Sequence, residues 1–352
     1  MASDTAFISE RQAAGQEELD QHYRSVANAI KDGEVVMFLG AGANLCGRPE
    51  NVSWRPGQYE ILPSGQELAQ FLNDEFKFPS PPLCAGCTSH DACDKCPSRK
   101  VADLLRVSLR VAMTQGHKPL YDRLHGLFDG DYPPTSLHEF LAWLPGALRA
   151  RGHSGNQLIL STNYDDVLER AFDAAGESFD LLTYIAKGRD CGKFSHQPPG
   201  GEPRVIERPN EYYDISLKTR SVIIKIHGAV KRKSENASGD SYVITEDDYL
   251  DYLTRTDISN LVPAPLAAKL KNSNFLFLGH SLRDWNLRVI LRRIWGEQEL
   301  DSVSWAVQRS TDELDRTFWA KHNVKIWAIL LEDYVAALHR RVQTLLAPAA
   351  AS

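Results

Sequence analysis

Four groups of glycine and polar residues in this sequence could bind a phosphorylated ligand and act on it. Each follows a short apolar run, and the groups are Gly40, Ala41, Gly42 and Asn44; Thr162, Asn163 and Asp165; His227 and Gly228; and Gly279 and Ser281. Glycines let a backbone approach a ligand closely, and a histidine titrates near neutral pH. If the apolar runs are strands of one parallel sheet, their polar ends meet in a single crevice, where such sheets bind ligands.

The first group lies in the segment EVVMFLGAGANLCGRP, residues 34–49. Residues 35–39 form the continuous apolar run that is typical of a buried parallel strand. A dinucleotide-binding fingerprint needs its third glycine at the sixth position, but that position is Leu45 and Gly47 follows two residues later. Two interpretations stay open: a turn that binds phosphate, or an ordinary turn between a strand and a helix.

The other groups also have simpler interpretations. Asn163 and Asp165 could be helix caps, because their side chains accept hydrogen bonds from the first amides of a helix. His227 could be a hydrogen-bonded structural residue, and residues 279–281 could be a helix entry. The combination of four such groups is what favours a binding crevice.

The elements that must position these residues follow from the alternation of apolar runs with helical stretches. After the strand at 35–39, strands are predicted at 157–163, 179–186, 221–228, 274–281, 302–308 and 324–330. This alternation predicts an α/β fold with a doubly wound, mainly parallel, Rossmann-like sheet. We expect one domain over residues 1–352, with a helix at 18–31 before the first strand and a C-terminal helix with a frayed tail at 331–352.

Three segments interrupt this alternation. Residues 46–62 and 187–215 are predicted loops, and the second is long enough to suggest a function. Residues 64–152 are predicted to form a mostly helical insertion, in which Ser136 and Glu139 have the spacing of a capping box.

The insertion also carries a cluster of four cysteines, Cys84, Cys87, Cys93 and Cys96. In a chain without a secretion signal, such clustering favours metal or redox chemistry over disulfides. Four thiolates suit tetrahedral zinc, so a structural zinc site is the first interpretation and an iron-sulfur cluster is the alternative. His90 lies within the cluster and is expected to remain outside the metal's ligand set.

Composition and charge narrow the functional classes. The formal net charge is −6 and the isoelectric point is near 6.0, which gives no reason to expect direct nucleic-acid binding. The polar N-terminus has no signal-peptide pattern, and no run has the length of a membrane span. We therefore expect a cytoplasmic protein that does not bind membranes.

The ordered set of motifs resembles the sirtuin (SIR2) superfamily, and in particular its bacterial SIR2-like branch. The motifs are Gly-Ala-Gly at 40–42, Thr-Asn-Tyr-Asp at 162–165, Lys-Ile-His-Gly at 225–228 and Leu-Gly-His-Ser at 278–281. The segments VITEDDYLDYL and FLGHSLRDWNLRVILRRIW also have close counterparts in that branch. The resemblance covers residues 30–330, and it is weakest at 64–152 and 187–215.

The resemblance implies a role for each motif. The turn at Gly40, Ala41 and Gly42 would hold the pyrophosphate of NAD, with Asn44 and Thr162 beside it. Asn163, together with Asp165, would contact the ribose next to nicotinamide. His227 would be the general base, with Gly228 beside it. Gly279 and Ser281 would lie near the adenosine half of NAD.

The sequence also departs from the pattern of the sirtuin deacylases. Their two cysteine pairs follow the catalytic histidine, whereas here the pairs precede Asn163 and only five residues separate Cys87 from Cys93. The Ile-Pro-Asp-Phe-Arg continuation of the glycine loop is missing, and no role is assigned to Trp54 or Arg55 in the loop that replaces it.

The resemblance and these departures predict an NAD hydrolase that acts as an antiphage, abortive-infection effector. Activation would come from homo-oligomeric assembly or from a partner such as a HerA-type ATPase or a short Argonaute protein. One alternative is an NAD-dependent protein deacylase, which the position of the cysteine pairs disfavours. The other is a non-catalytic subunit that senses NAD or ADP-ribose, although such a subunit would not need a base at His227.

Overall fold

The computed structural model describes residues 2–78, 103–232, 239–254, 258–295 and 303–348. The predicted cysteine cluster at Cys84, Cys87, Cys93 and Cys96, with His90, lies outside these residues. Within the described ranges, no group of three or more histidine, cysteine, aspartate or glutamate residues has an arrangement that could hold a metal ion.

Nine of the eleven strands among the described residues form one sheet, and the other two pair with each other. In chain order the strands are β1 (Val35–Leu39), β2 (Leu158–Ser161), β3 (Phe179–Tyr184), β4 (Phe194–Gln197), β5 (Arg204–Val205), β6 (Ser221–Lys225), β7 (Gly228–Ala229), β8 (Ser241–Tyr242), β9 (Asn274–Leu278), β10 (Ser304–Gln308) and β11 (Val324–Ala328). The sheet order is β11-β10-β9-β1-β2-β6-β3-β4-β5, and β7 pairs with β8 separately. From β11 to β3 every pairing is parallel, so the predicted mainly parallel sheet is confirmed.

Helices cover both faces of this sheet. They are α1 (Ala2–Lys31), α2 (Gly65–Glu75), α3 (Leu104–Gln115), α4 (His117–Phe128), α5 (Ser136–Arg149), α6 (Val167–Ala174), α7 (Glu246–Thr254), α8 (Ile258–Leu261), α9 (Ala264–Asn272), α10 (Trp285–Trp295), α11 (Glu313–Ala320) and α12 (Leu331–Leu345). Buried side chains of α1, α5, α6 and α12 pack on one face, and those of α7, α9, α10 and α11 pack on the other. The central strand β1 is buried on both faces, which explains why it is apolar at every position.

A third apolar cluster lies beside the sheet and joins α2, α3 and α4 to the chain around Trp54, Tyr132 and Tyr242. These helices occupy the described part of the predicted helical insertion at 64–152. The last helix of that range, α5, packs instead against α6 and α12 on the sheet. Residues 136–149 therefore belong to the layer that supports the sheet.

Three local predictions need correction. The segment 187–215 is not a bare loop, because β4 and β5 pair antiparallel and extend the sheet beyond β3. Helix α1 begins at Ala2 and not near residue 18. At the start of α5, Thr135 and His138 replace the predicted pair Ser136 and Glu139: the amide of Thr135 donates to Nδ1 of His138 at 3.2 Å.

Among the described residues, no helix combines the length and the apolar character that crossing a bilayer requires.

Candidate nucleotide-binding crevice

The four predicted groups are brought together at one edge of the sheet. Backbone hydrogen bonds continue past the strands: Gly40 donates to Leu278, Thr162 to Leu39 and Ile226 to Ser161, each at 3.0 Å. The chain segments that follow β9, β1, β2 and β6 therefore lie side by side. This is the carboxyl edge, where an open parallel sheet offers its ligand-binding crevice.

The glycines of this edge pack against one another. A Cβ added at Gly40 would lie 2.6 Å from the carbonyl oxygen of Gly279, and one at Gly42 would lie 2.8 Å from its Cα. At Gly279 the added Cβ would lie 2.2 Å from the amide nitrogen of Ala43, and φ is +75°. Glycine is therefore required at all three positions by the contact between two loops, whether or not a ligand binds.

After Gly40 the chain enters a short 3-10 helix, Ala41–Leu45, and not a regular α-helix. The start of α5 supports this turn, because the Thr135 hydroxyl donates to the carbonyl oxygen of Ala43 at 3.1 Å. The Sγ of Cys46 lies 3.5 Å from the Ser136 hydroxyl. Ala41 is exposed at the tip of the turn.

Asp165 holds the glycine turn against the segment after β2. Its Oδ2 accepts a hydrogen bond from the Asn44 side chain at 2.7 Å, and its Oδ1 accepts from the amide of Val167 at 3.1 Å. Asp165, and not Asn163, therefore bonds the first turn of α6. The Oδ1 of Asn44 is buried and has no hydrogen-bond partner among the described residues.

Asn163 and Thr162 lie between the glycine turn and α6. The backbone amide of Asn163 donates to the Ser161 hydroxyl at 3.1 Å, and the residue is 8% exposed. Its side chain makes no hydrogen bond within the described ranges. The Thr162 hydroxyl donates to the carbonyl oxygen of Leu39 at 3.3 Å, so this side chain braces the turn.

Lys225, at the end of β6, connects two of the groups and was missed as a site residue by sequence reasoning. Its buried ammonium group lies 3.1 Å from Oε1 of Glu169 and donates to the carbonyl oxygen of Asp165. The sequence feature that could have identified Lys225 is a lysine at the end of an apolar strand, because a buried charge requires a partner. Lys225 thus fixes α6 and the backbone of Asp165.

His227 is 5% exposed, and one of its ring nitrogens is unpartnered. Nδ1 lies 3.2 Å from the hydroxyl of Tyr249, whereas the buried Nε2 has no hydrogen-bond partner in the described structure. Burial, with a further contribution from His280, lowers the pKa of His227 to about 3. The imidazole is therefore neutral at neutral pH. Gly228 has φ of +81° and leaves no room for a Cβ beside Ser241.

His280 is a second imidazole at this edge, half-buried between the predicted residues Gly279 and Ser281. Its ring packs edge-on against Phe38 with centroids 4.5 Å apart, and its Nε2 is buried without a partner among the described residues. Burial lowers the pKa of His280 to about 3. Its position within the Leu-Gly-His-Ser motif is the sequence feature from which His280 could have been predicted as a site residue. Ser281 is exposed.

Two cavities adjoin the crevice. One of about 200 Å³ is lined by Asn44, Tyr132, Thr135 and His138, among others, and lies behind the glycine turn. The other, of about 860 Å³, lies between α6 and the β3–β5 region and reaches Asp165. His227 lines neither cavity, so both cavities lie to the side of the strand end that carries it.

Comparison with known proteins agrees with the motif pattern. Residues 157–327 match the family model of the SIR2-like domain. The match contains Asn163, Asp165, His227 and Gly279, whereas the glycine turn lies before it. It supports an NAD-related function of the sirtuin type.

Among solved structures, a serine-to-alanine variant of a Sir2 homologue in complex with ADP-ribose matches at 12% identity and a TM-score of 0.36. The match covers 92% of this chain and 98% of that chain. No curated protein matches the sequence.

Proposed function

We propose that this protein is an NAD hydrolase, which converts NAD and water into nicotinamide and ADP-ribose. The observation that carries the proposal is that Asn163 and His227 follow the neighbouring strands β2 and β6 at the sheet edge that also carries the close-packed glycine turn. Parallel sheets bind nucleotides at this edge. The SIR2-like match of residues 157–327 supports NAD as the substrate.

Unpartnered polar atoms support a polar ligand in this crevice. Nε2 of His227, Nε2 of His280 and Oδ1 of Asn44 are all buried without partners in the described chain. Such atoms are costly unless water or a ligand pairs with them. The hydroxyl and amide N–H groups of NAD can donate to an acceptor such as Oδ1 of Asn44, and an imidazole nitrogen can pair with a hydroxyl or, when it carries the proton, with a phosphate oxygen. We assign the glycine turn and Asn44 to the pyrophosphate side, with Thr162 beside them, and Gly279 and Ser281 to the adenosine side.

The reaction assigns distinct roles to Asn163 and His227. When the bond between ribose and nicotinamide breaks, its electron pair leaves with the ring, nicotinamide becomes neutral and positive charge develops on the sugar. The amide oxygen of Asn163 stabilises this charge. Water then bonds to the sugar carbon and gives a proton to neutral His227, which releases it to solvent. Asp165 keeps the glycine turn in place through Asn44.

Turnover of purified protein tests this proposal. Nicotinamide and ADP-ribose are quantified for the wild type, His227→Gln and Asn163→Ala at several protein concentrations. We expect both variants to lose turnover by at least about a hundredfold while their melting curves stay close to that of the wild type. Glutamine is used because alanine would leave a hole beside the Tyr249 ring.

A matched control comes from His22, which is also buried and also bonds a tyrosine hydroxyl, that of Tyr334, at 2.9 Å. His22→Gln lies outside the crevice and should retain full turnover. Equal activity in His227→Gln and the wild type would refute the base assignment. Turnover only with an acetylated peptide would favour a deacylase, and tight NAD binding without turnover would favour a sensor.

In the cell, we propose that this activity depletes NAD in response to phage infection. A hydrolase of this kind must be held inactive in healthy cells, so self-assembly or a partner such as a HerA-type ATPase or a short Argonaute protein would switch it on. A concentration-dependent rise in specific activity, together with a larger species by light scattering, would support activation by self-assembly. If activity is absent at every concentration, co-expression with a neighbouring gene product tests the partner route.

A further inference from the structure

The segment VITEDDYLDYL has no role in the proposed chemistry, yet it places two tyrosines on the ring of His227. Tyr249 and Tyr252 both contact the imidazole edge-on, with ring centroids 5.1 and 5.7 Å away. Only Tyr249 brings its hydroxyl to a ring nitrogen, at 3.2 Å from Nδ1. The hydroxyl of Tyr252 is buried and unpartnered among the described residues.

The first residues of α7 fix where these tyrosines lie. The carboxylate of Asp248 accepts from the amide of Thr245 at 2.9 Å, and the Thr245 hydroxyl accepts from the amide of Asp248 at 3.0 Å. This reciprocal pair is a capping box formed with aspartate. The amide of Val243 donates to the carbonyl oxygen of His227 at 2.9 Å, which ties the chain before α7 to the histidine itself. The tyrosine ring is therefore held by a capped helix.

The contact with Tyr249 decides which nitrogen of the neutral ring carries the proton. A neutral imidazole has one N–H donor and one acceptor nitrogen. A buried N–H without a partner is rarer and more costly than an acceptor without one. Since Nδ1 has a hydroxyl oxygen beside it and Nε2 has no partner in the described structure, the contacts favour the tautomer with the proton on Nδ1.

We propose that Tyr249 is a positioning residue whose hydroxyl oxygen accepts a hydrogen bond from Nδ1–H of His227 and thereby leaves the basic lone pair on Nε2. Its role in catalysis rests on the proposed function, because a base must present a lone pair to the water it deprotonates. The tautomer itself does not rest on that function. Tyr252 packs on the same ring but cannot set the tautomer.

Two conservative variants separate these roles. Tyr249→Phe removes the oxygen that faces Nδ1 and keeps the aromatic ring. Tyr252→Phe removes a hydroxyl from the same ring surface and is the matched control. For Tyr249→Phe we expect kcat for nicotinamide release to fall by about tenfold to a hundredfold with KM within about twofold, the size of effect seen when a partner that orients a histidine is removed. For Tyr252→Phe we expect both to stay at the wild-type values.

The tautomer is measured directly by long-range proton–nitrogen NMR of protein labelled with nitrogen-15 histidine, with the His227 signals assigned from their loss in His227→Gln. The wild type and Tyr252→Phe should show a proton on Nδ1 and none on Nε2. Tyr249→Phe should show a mixture or the opposite tautomer. A purely structural role for Tyr249 would change melting but not this pattern.

The outcomes distinguish the inference from the proposed function. A proton on Nε2 in the wild type, or the same tautomer in wild type and Tyr249→Phe, overturns the inference. Wild-type turnover that Tyr249→Phe leaves unchanged also overturns it. If the wild type releases no nicotinamide at any concentration or with a co-expressed partner, but Tyr249→Phe changes the tautomer, the proposed hydrolase fails and the positioning contact stands.

Discussion

Replacing Gly279 with alanine tests whether the contact between the glycine loops holds the crevice together. Gly279 has φ of +75°, and the added Cβ would lie 2.2 Å from the amide nitrogen of Ala43 and 2.6 Å from the carbonyl carbon of Gly42. Two costs therefore combine in this variant: a left-handed backbone that alanine disfavours, and a steric clash with backbone atoms that cannot rotate away.

Gly152 separates the two costs. Its φ is +77°, and no atom lies within 4 Å of an added Cβ, so Gly152→Ala has the backbone cost alone. That cost is about 1–2 kcal/mol. In Gly279→Ala, overpacking adds about 1–3 kcal/mol. Gly152 follows α5 and precedes β2, at the opposite edge of the sheet from the crevice.

The free energy of unfolding from urea titration, and NAD affinity from calorimetry, are measured for both variants. We expect Gly279→Ala to be less stable than Gly152→Ala by about 1–3 kcal/mol and to lose NAD affinity, because Ala43 and the turn must move. Gly152→Ala should bind NAD as the wild type does. Equal stability losses in the two variants would show that the close approach of the loops is wrong.

Two predictions concern pH and the loop after the turn. Burial lowers the pKa of His22 to about 3, so the folded protein binds a proton at His22 less readily than the unfolded chain does. The free energy of unfolding of the wild type should therefore fall as the pH drops below 6.5. In urea titrations between pH 7.5 and pH 5, His22→Gln should lose about 2 kcal/mol less stability than the wild type. Despite burial, Arg48 and backbone amides hold the pKa of Glu67 at about 2, so Glu67→Gln should cost about 2–3 kcal/mol at pH 7, about half as much at pH 3 and little only below pH 2. Identical pH profiles for variant and wild type would refute either prediction.

The central strands of the sheet could be predicted because they are buried on both faces and are therefore mainly apolar. Residues 35–39 and 221–225 illustrate this, since all ten positions are buried. The hairpin of β4 and β5 escaped prediction because its strands are four and two residues long and carry polar side chains such as Ser195 and Gln197. β4 is defined by its pairing with β3 and β5 by its pairing with β4, and both pairings are tertiary contacts.

The helix starts show a similar limit. The sequence places two acceptable capping pairs one residue apart before α5, and spacing alone favoured Ser136 with Glu139. The structure uses Thr135 with His138, because the Thr135 hydroxyl also donates to the carbonyl oxygen of Ala43. A contact across 92 residues decided between two local patterns.

The strand-end residues were predictable as a set, but the separate role of each residue was not. Asp165 was grouped with Asn163 as a catalytic candidate, yet its carboxylate is occupied by Asn44 and by the amide of Val167. It therefore positions the turn, which leaves Asn163 as the side chain of this motif without a partner among the described residues. Residue types alone cannot show which carboxylate or amide side chain is already hydrogen-bonded within the protein.

Position in the fold makes the same distinction among the histidines. His22 and His227 are both neutral and both contact a tyrosine hydroxyl, so sequence and pKa alone would rank them equally. His22 lies where α1 meets α12, whereas His227 lies at a strand end beside His280 and the glycine turn. Unpartnered buried atoms also occur elsewhere, as at Nδ1 of His22, but at the sheet edge they belong to neighbouring strand ends. A ligand that spans those ends could pair with several of them at once, and this favours His227 over His22 as the proposed base.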